Sequence, residues 1–227
     1  VNSQLDLVCE FVCILQEEDG FPAQYFCDVR PSLHRIRVEG MYLDENELFD
    51  LRRSLETIHD IVSFLMRDAE DESDSPYPCL RQLAGDIMVF PQLISRINAI
   101  LSPYGKIKDN ASAELSRIRR ELQSTMSSIS RSLNNILRSA QSEGVVEKDV
   151  TPTLRDGRLV IPVAPALKRK IRGIVHDESA SGKTVFIEPA EVVEANNRIR
   201  ELENEERREI IRILTEFSIQ LRPAIPD

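Results

Sequence analysis

The chain has 227 residues and a formal net charge of −9, with 41% hydrophobic, 30% charged and 5% aromatic residues. That length allows one large domain or two small ones, and that composition allows a real core assembled from long amphipathic helices. No apolar run approaches the roughly eighteen residues of a membrane-spanning helix, so a membrane partner is excluded and a cytoplasmic protein is expected.

The chain starts at Val1 in what reads as mid-helix and stops at Asp227 just after a helix, so both ends read as cuts through a longer protein. Leu5, Val8, Val12 and Leu15 form one apolar stripe on a first helix. Cys9 and Cys13 share a face of it, and Cys27 and Cys79 lie further on. With no C-x-x-C pair, no nearby histidine and no secretory signal, reduced and mostly buried thiols are expected rather than a zinc site or disulfides. Asp44 with Glu47 resembles a capping box. Behind it Leu48, Leu51, Leu55, Ile58, Val62 and Leu65 alternate spacings of three and four, which predicts a helix. Residues 68–78, "DAEDESDSPYP", predict an acidic solvated loop. Shorter helices around Pro78–Gly85 and Phe90–Leu101 then close a helical body over 1–110.

The pattern then lengthens. From 111 to 144 the apolar positions are Leu115, Ile118, Leu122, Met126, Ile129, Leu133, Ile136 and Ala140. Asp109 or Asn110 can cap the start, and Gly144 ends the run. About thirty residues at 1.5 Å make a rod of roughly 45 Å. A second rod over 188–222 begins at Glu188-Pro189, with the proline in the first turn. Its stripe is Val192, Ala195, Ile199, Leu202, Ile210, Ile213, Phe217 and Leu221, interrupted by the polar "ENEERRE". Pairs such as Glu194–Arg198 and Glu203–Arg207 support its outer side. Neither rod can bury its stripe alone, so an antiparallel pair is expected, with Leu122 and Ile213 in or near a shared seam.

Residues 145–187, between the rods, change to a strand-like period. "TLRDGRLVIPV" carries an Asp156-Gly157 hairpin signal, and "IRGIVHDESASGKTVFIEP" reads as a second hairpin. Its Ser181-Gly182-Lys183-Thr184 has the last letters of a phosphate-binding loop. A phosphate loop, however, needs a glycine where Asp177 stands and a helix after the lysine. Here β-branched and aromatic residues follow, so Lys183 belongs to a hairpin turn and no ATP site is expected. His176-Asp177 with Ser179 has the letters of a hydrolase triad, but neighbouring strand residues point to opposite faces. The predicted fold is mainly α: a helical core, two long antiparallel helices, and a small antiparallel β-module at their tips.

Charge marks that module. Eight basic residues (Lys148, Arg155, Arg158, Lys168, Arg169, Lys170, Arg172, Lys183) stand against five acidic ones (Glu147, Asp149, Asp156, Asp177, Glu178) within 145–187, a local excess of +3 on a chain of −9. A basic tip on an acidic protein suits phosphate-backbone contact. It also suits simple solubility of an exposed sheet, and charge alone does not choose between them. The candidate contacts are Arg155, Arg158, Lys168, Arg169, Lys170, Arg172 and Lys183, centred on "KRKIR".

The stretch "DGRLVIPV…KRKIRGIVHDESASGKTVFIEPAEVVEANNRIRELENEERREIIRIL", with the earlier "GKIKDNASAELSRIRREL", resembles the core-and-clamp region of the MutS family, in its second bacterial branch. The likeness covers about 90–222. It implies a clamp held over nucleic acid by lever helices, in a homodimeric ATPase whose ATP and magnesium sit in a domain beyond this sequence, with a small nuclease domain also beyond it. Partners implied are branched or mismatched DNA, in suppression of homologous recombination, and collided ribosomes with their rRNA. Phe186-Ile187-Glu188 matches the letters of a mismatch-reading Phe-x-Glu, but it falls on a strand leading to a helix cap and is read as coincidence. Two other classes stand beside this one. A stand-alone NTPase or hydrolase is opposed by Asp177 and the strand after Lys183. A purely structural antiparallel coiled coil used for dimerisation, with no direct nucleic-acid contact, predicts no salt-sensitive nucleic-acid binding.

Overall fold

The computed structural model describes residues 2–17, 20–67 and 76–225. It is mainly helical with one small antiparallel sheet, as the periodicities predict. Of the acidic stretch 68–78, residues 68–75 lie outside the described residues; at its end Tyr77 is buried and Pro78 opens a helix, so these two are not part of a solvated loop. Two compact units divide the chain, one formed by 1–111 with 212–227 and the other by 112–211.

The first unit holds α1 (Asn2–Glu17), α2 (Arg30–Arg35), α3 (Glu45–Met66), α4 (Pro78–Gly85), α5 (Pro91–Ile100) and the last turns of a long α7 (Val193–Leu221). The capping box is present at α3. The Asp44 carboxylate accepts from the Glu47 N–H at 2.9 Å, and Glu47 accepts from the Asp44 N–H at 3.0 Å. Leu48, Leu51 and Leu65 of the expected stripe are buried, together with the polar Arg52, Ser54 and Thr57. The α1 stripe is corrected. Leu5, Val8, Val12 and Leu15 are all exposed, while Ile14 is the side chain α1 buries, against Leu65, Tyr77 and Ala84. Helix α1 is apolar on two sides, and the spacing of the larger stripe does not reveal which side the core takes. The thiols are corrected as well: Cys9 and Cys13 are exposed, and Cys27 and Cys79 only half-buried.

The second unit pairs α6 (Ala113–Ser142) with the first part of α7 and carries four strands between them: β1 (Thr153–Arg155), β2 (Arg158–Val163), β3 (Gly173–Glu178) and β4 (Val185–Pro189). Ser112, rather than Asp109 or Asn110, caps α6 by accepting from the Leu115 N–H at 2.9 Å. Gly144, at φ +69°, ends it in a left-handed turn where the Val145 N–H reaches back to the Ala140 carbonyl at 2.8 Å. Leu115, Ile118, Ile129, Leu133 and Ala140 are buried as the stripe predicts. Leu137 joins them, and Met126 is exposed.

The helices run antiparallel, because partners on α7 fall in number as those on α6 rise. Ser112 donates to Glu209, Arg119 pairs with Glu206 at 2.7 Å, and Arg198 with Glu121 at 2.8 Å. The polar break "ENEERRE" is thus the stretch whose carboxylates take the Arg117 and Arg119 guanidinium groups. Arg198 spans to Glu121, Glu201 and Glu205 rather than to Glu194. The register opposes Leu122 to the neighbourhood of Ile199. Ile213 is buried and belongs to the first unit, whereas Leu122 belongs to the second.

The sheet order is β1-β2-β4-β3, antiparallel throughout. Arg155 pairs with Arg158 across a two-residue turn in which Asp156 and Gly157 sit at φ +47° and +73°, the positive values a type I′ turn requires. Ile161, Val163, Val185 and Ile187 line one face and pack on Ile129, Leu133 and Leu137 of α6 and on Val192 and Ile199. The second rod starts later than Glu188-Pro189 suggests. Both are the last, buried residues of β4, a 3-10 turn covers Ala190–Val192, and α7 begins at Val193.

Candidate nucleic-acid interface

Strand β3 runs parallel to β2 with β4 between them, so residues 164–172 must travel the length of the sheet to connect the two. Most of that crossover is a 3-10 turn, Pro165–Lys170. It is fastened by apolar residues on both sides of its basic run. Leu167 packs against the core and Ile171 is buried in it, while Lys168, Arg169, Lys170 and Arg172 are exposed. The sequence "LKRKIR" therefore displays four cations on a short segment with little freedom to collapse. Lys183 lies in the loop joining β3 to β4 and lines the same cleft as Leu167 and Lys148. All of these groups belong to the second unit.

The other two candidates are placed differently. The Arg155 guanidinium stacks over the Phe186 ring at 4.2 Å, on the sheet face opposite Val185 and Ile187. Arg158 is engaged inside the protein. Its Nη1 donates to Glu188 Oε1 and its Nη2 to Asn197 Oδ1, each at 2.7 Å, and its side chain is only 16% exposed.

Glu188 is the centre of a polar node that no sequence pattern announces. Its side chain is fully buried, where an unpaired carboxylate would be costly. Three donors meet it: Arg158 Nη1, Asn196 Nδ2 at 2.7 Å, and His176 Nε2. Burial pushes the Glu188 carboxyl up, and hydrogen bonds from Asn196, His176 and Arg158 more than offset that, so its pKa lies below the ordinary carboxylate value. His176 reaches it because β3 carries a bulge. The register steps from Val175↔Ile187 to Asp177↔Phe186, leaving His176 as the extra residue. Thus His176 and Asp177 do not act as a pair, and the Phe186-Ile187-Glu188 motif serves packing and this node.

Ser181-Gly182-Lys183 is a hairpin loop, as expected. The Gly182 N–H is spent on the Ser179 carbonyl at 2.7 Å and the Thr184 N–H on Ser179 Oγ at 3.1 Å, and β4 follows. With those amides occupied and no helix N-terminus behind the lysine, these residues do not fit a nucleotide triphosphate. Among the described residues no group of histidine, cysteine and carboxylate side chains could hold a metal ion, and no helix is long and apolar enough to cross a membrane.

Comparison with known proteins adds a lineage to this geometry. The chain is 36% identical over 223 residues to the Endonuclease MutS2 of Lacticaseibacillus paracasei, covering 98% of the chain and 28% of that protein. It is 36% identical over 218 residues to the Endonuclease MutS2 of Finegoldia magna, with 96% and 27% covered. With the Endonuclease MutS2 of Pelotomaculum thermopropionicum it shares 37% over 191 residues, 84% of the chain and 23% of the relative. The chain therefore spans little more than a quarter of the length of the curated relatives it matches. No family model matches it.

Proposed function

Because the chain belongs to the MutS2 family, we propose that its second unit is a nucleic-acid clamp carried by two lever helices, α6 and α7. The observation that carries this reading is the crossover: four exposed cations, Lys168, Arg169, Lys170 and Arg172, held out by Leu167 and Ile171 on an otherwise acidic chain. Such a surface attracts the phosphate backbone without reading bases, which suits branched or mismatched DNA and the rRNA of collided ribosomes alike. Lys183 adds to it from the neighbouring loop, and Arg155 from the other sheet face. Arg158 contributes through the node rather than through phosphate.

In the parent protein this unit would act in a homodimer. ATP and magnesium would be bound by an ATPase domain outside this chain, and a nuclease domain would supply the endonuclease activity that the relatives' name states. Suppression of homologous recombination and rescue of collided ribosomes are the roles this arrangement would serve. The chain itself would be non-catalytic. The ion-pair ladder between α6 and α7 also fits a purely structural coiled coil, in which the exposed crossover cations would serve only solubility.

The test is the salt dependence of binding. In the parent protein, Lys168→Ala, Arg169→Ala and Lys170→Ala together should weaken binding to branched DNA and to ribosomes. They should also reduce the slope of log affinity against log salt by up to about three units, because each neutralised phosphate releases counterions. Unchanged affinity and slope for both substrates would leave the structural coiled coil as the account.

A further inference from the structure

In the first unit, residues 21–29 lie against α3 without regular structure, and buried hydroxyls of α3 fasten them. Ser54 Oγ accepts from the Cys27 N–H at 3.0 Å and donates to the Cys27 carbonyl at 3.1 Å. Thr57 Oγ1 donates to the Gln24 carbonyl at 2.5 Å. Ahead of these bonds Phe21 packs edge-on against Phe11 and Phe64. Between Gln24 and Cys27, Tyr25 and Phe26 face outward, 62% and 67% exposed. Tyr25 does so at φ +67°, a conformation that a bulky residue keeps only where its surroundings impose it. Its ring lies on the Arg53 guanidinium at 3.9 Å, and Arg53 also stacks on Phe49 at 5.3 Å. Gly105 approaches Phe49 so closely that a Cβ there would meet its Cγ at 2.8 Å, and the residue before it, Tyr104, is 88% exposed. Beside Tyr25 opens a cleft of about 340 Å³ whose lining includes the partly exposed carboxylates of Glu56 and Asp60. Isolated surface aromatics are ordinary, but aromatics held out together by buried anchors mark a contact surface.

Charge selects the partner. Residues 1–111 carry ten basic against twenty acidic side chains, a net charge of −10, which repels phosphate. Ring faces and carboxylates both attract cations. The protein's own arginines show what such rings take, with Arg53 on Tyr25, Arg52 on Phe49 and Arg67 on Phe64. We propose that Tyr25, Phe26 and Tyr104, with Glu56 and Asp60, form a docking surface for an arginine-rich segment of a partner protein. The arginine stems cover the exposed rings, the guanidinium planes stack on them, and the carboxylates of the cleft take the charge. This surface is separate from the basic crossover and does not depend on nucleic-acid binding there.

Fluorescence anisotropy of a labelled arginine–glycine repeat peptide, titrated with the full chain, tests this. Saturable binding is expected, and Tyr25→Ser with Phe26→Ser should weaken it by about tenfold, the scale of a hot-spot pair. Neither change alters the net charge, so a general attraction of the peptide to an acidic protein would survive both. Glu56→Gln with Asp60→Asn should weaken binding as well and reduce its salt dependence. Tyr25→Gly separates binding from folding. Glycine accepts φ +67° without strain, so this variant should melt no lower than the parent and still bind more weakly. No saturable binding by the parent overturns the proposal, as does binding that survives the aromatic variants or is lost only together with the fold. Tighter binding of single-stranded oligothymidylate, abolished by the same variants, would overturn it in favour of nucleic acid. Self-association of the chain in sedimentation, abolished by them, would overturn it in favour of a second copy.

Discussion

Replacing Glu188 with alanine is expected to destabilise the second unit by about 3–5 kcal/mol, the scale for breaking a buried ion pair from one side. The carboxylate is fully buried, and its loss strands three donors at once. Arg158 keeps its bond to Asn197 but loses its counter-charge. Asn196 and His176 lose a buried acceptor. The measurement is the opening free energy of the β4 amides, read by native-state hydrogen exchange. A pH series adds a second readout. The folded pKa of Glu188 is lowered, so its contribution is present above the ordinary carboxylate range and is lost as pH falls through the folded value. The parent should therefore lose stability on acidification through that range, and Glu188→Ala should lose less. A loss below about 1 kcal/mol, or an unaltered acid profile, would show that the node is a bystander.

The next largest effect is expected at Gly173. A Cβ built there meets the Glu188 carbonyl oxygen at 2.2 Å, its carbon at 2.9 Å and the Pro189 Cα at 2.9 Å. All three are backbone atoms of the paired strand, so no side chain can swing aside. Gly173→Ala must part β3 from β4 at the node, at a cost of about 3 kcal/mol, the upper part of the usual range for overpacking. Gly182→Ala is the comparison. Gly182 sits at φ +65° in the β3–β4 loop with nothing within 4 Å of a built Cβ, so only the left-handed backbone penalty of about 1 kcal/mol applies. Equal effects at the two glycines would refute the close approach of Gly173 to Glu188.

These two residues mark where the sequence stops being readable. Helix α6, its C-terminal glycine, the Asp156-Gly157 turn and the Lys183 hairpin were legible because each depends on a period or a turn residue within a few positions. The basic crossover was legible as composition, and its display was implicit in the apolar residues bracketing "KRK". The Glu188 node was not. Its other members lie 8 to 30 residues from Glu188 in sequence, and their meeting depends on a one-residue bulge at His176. Arg158 looked like a free cation for the same reason, since its partner is set by tertiary structure. Gly173 carries no positive φ to betray it, only the proximity of a neighbouring strand. Helix α1 shows a subtler limit: Leu5, Val8, Val12 and Leu15 have flawless spacing and still face away from the core.

The central claim is that the 165–172 crossover touches nucleic acid, and site-specific photo-crosslinking tests that contact without relying on affinity. A benzophenone side chain in place of Arg169 should crosslink to bound branched DNA or rRNA in the parent protein, whereas the same group in place of Met126, exposed on α6, should not. Efficient crosslinking from position 169 alone is the predicted result. No crosslink from 169, or equal yields from 169 and 126, would contradict it.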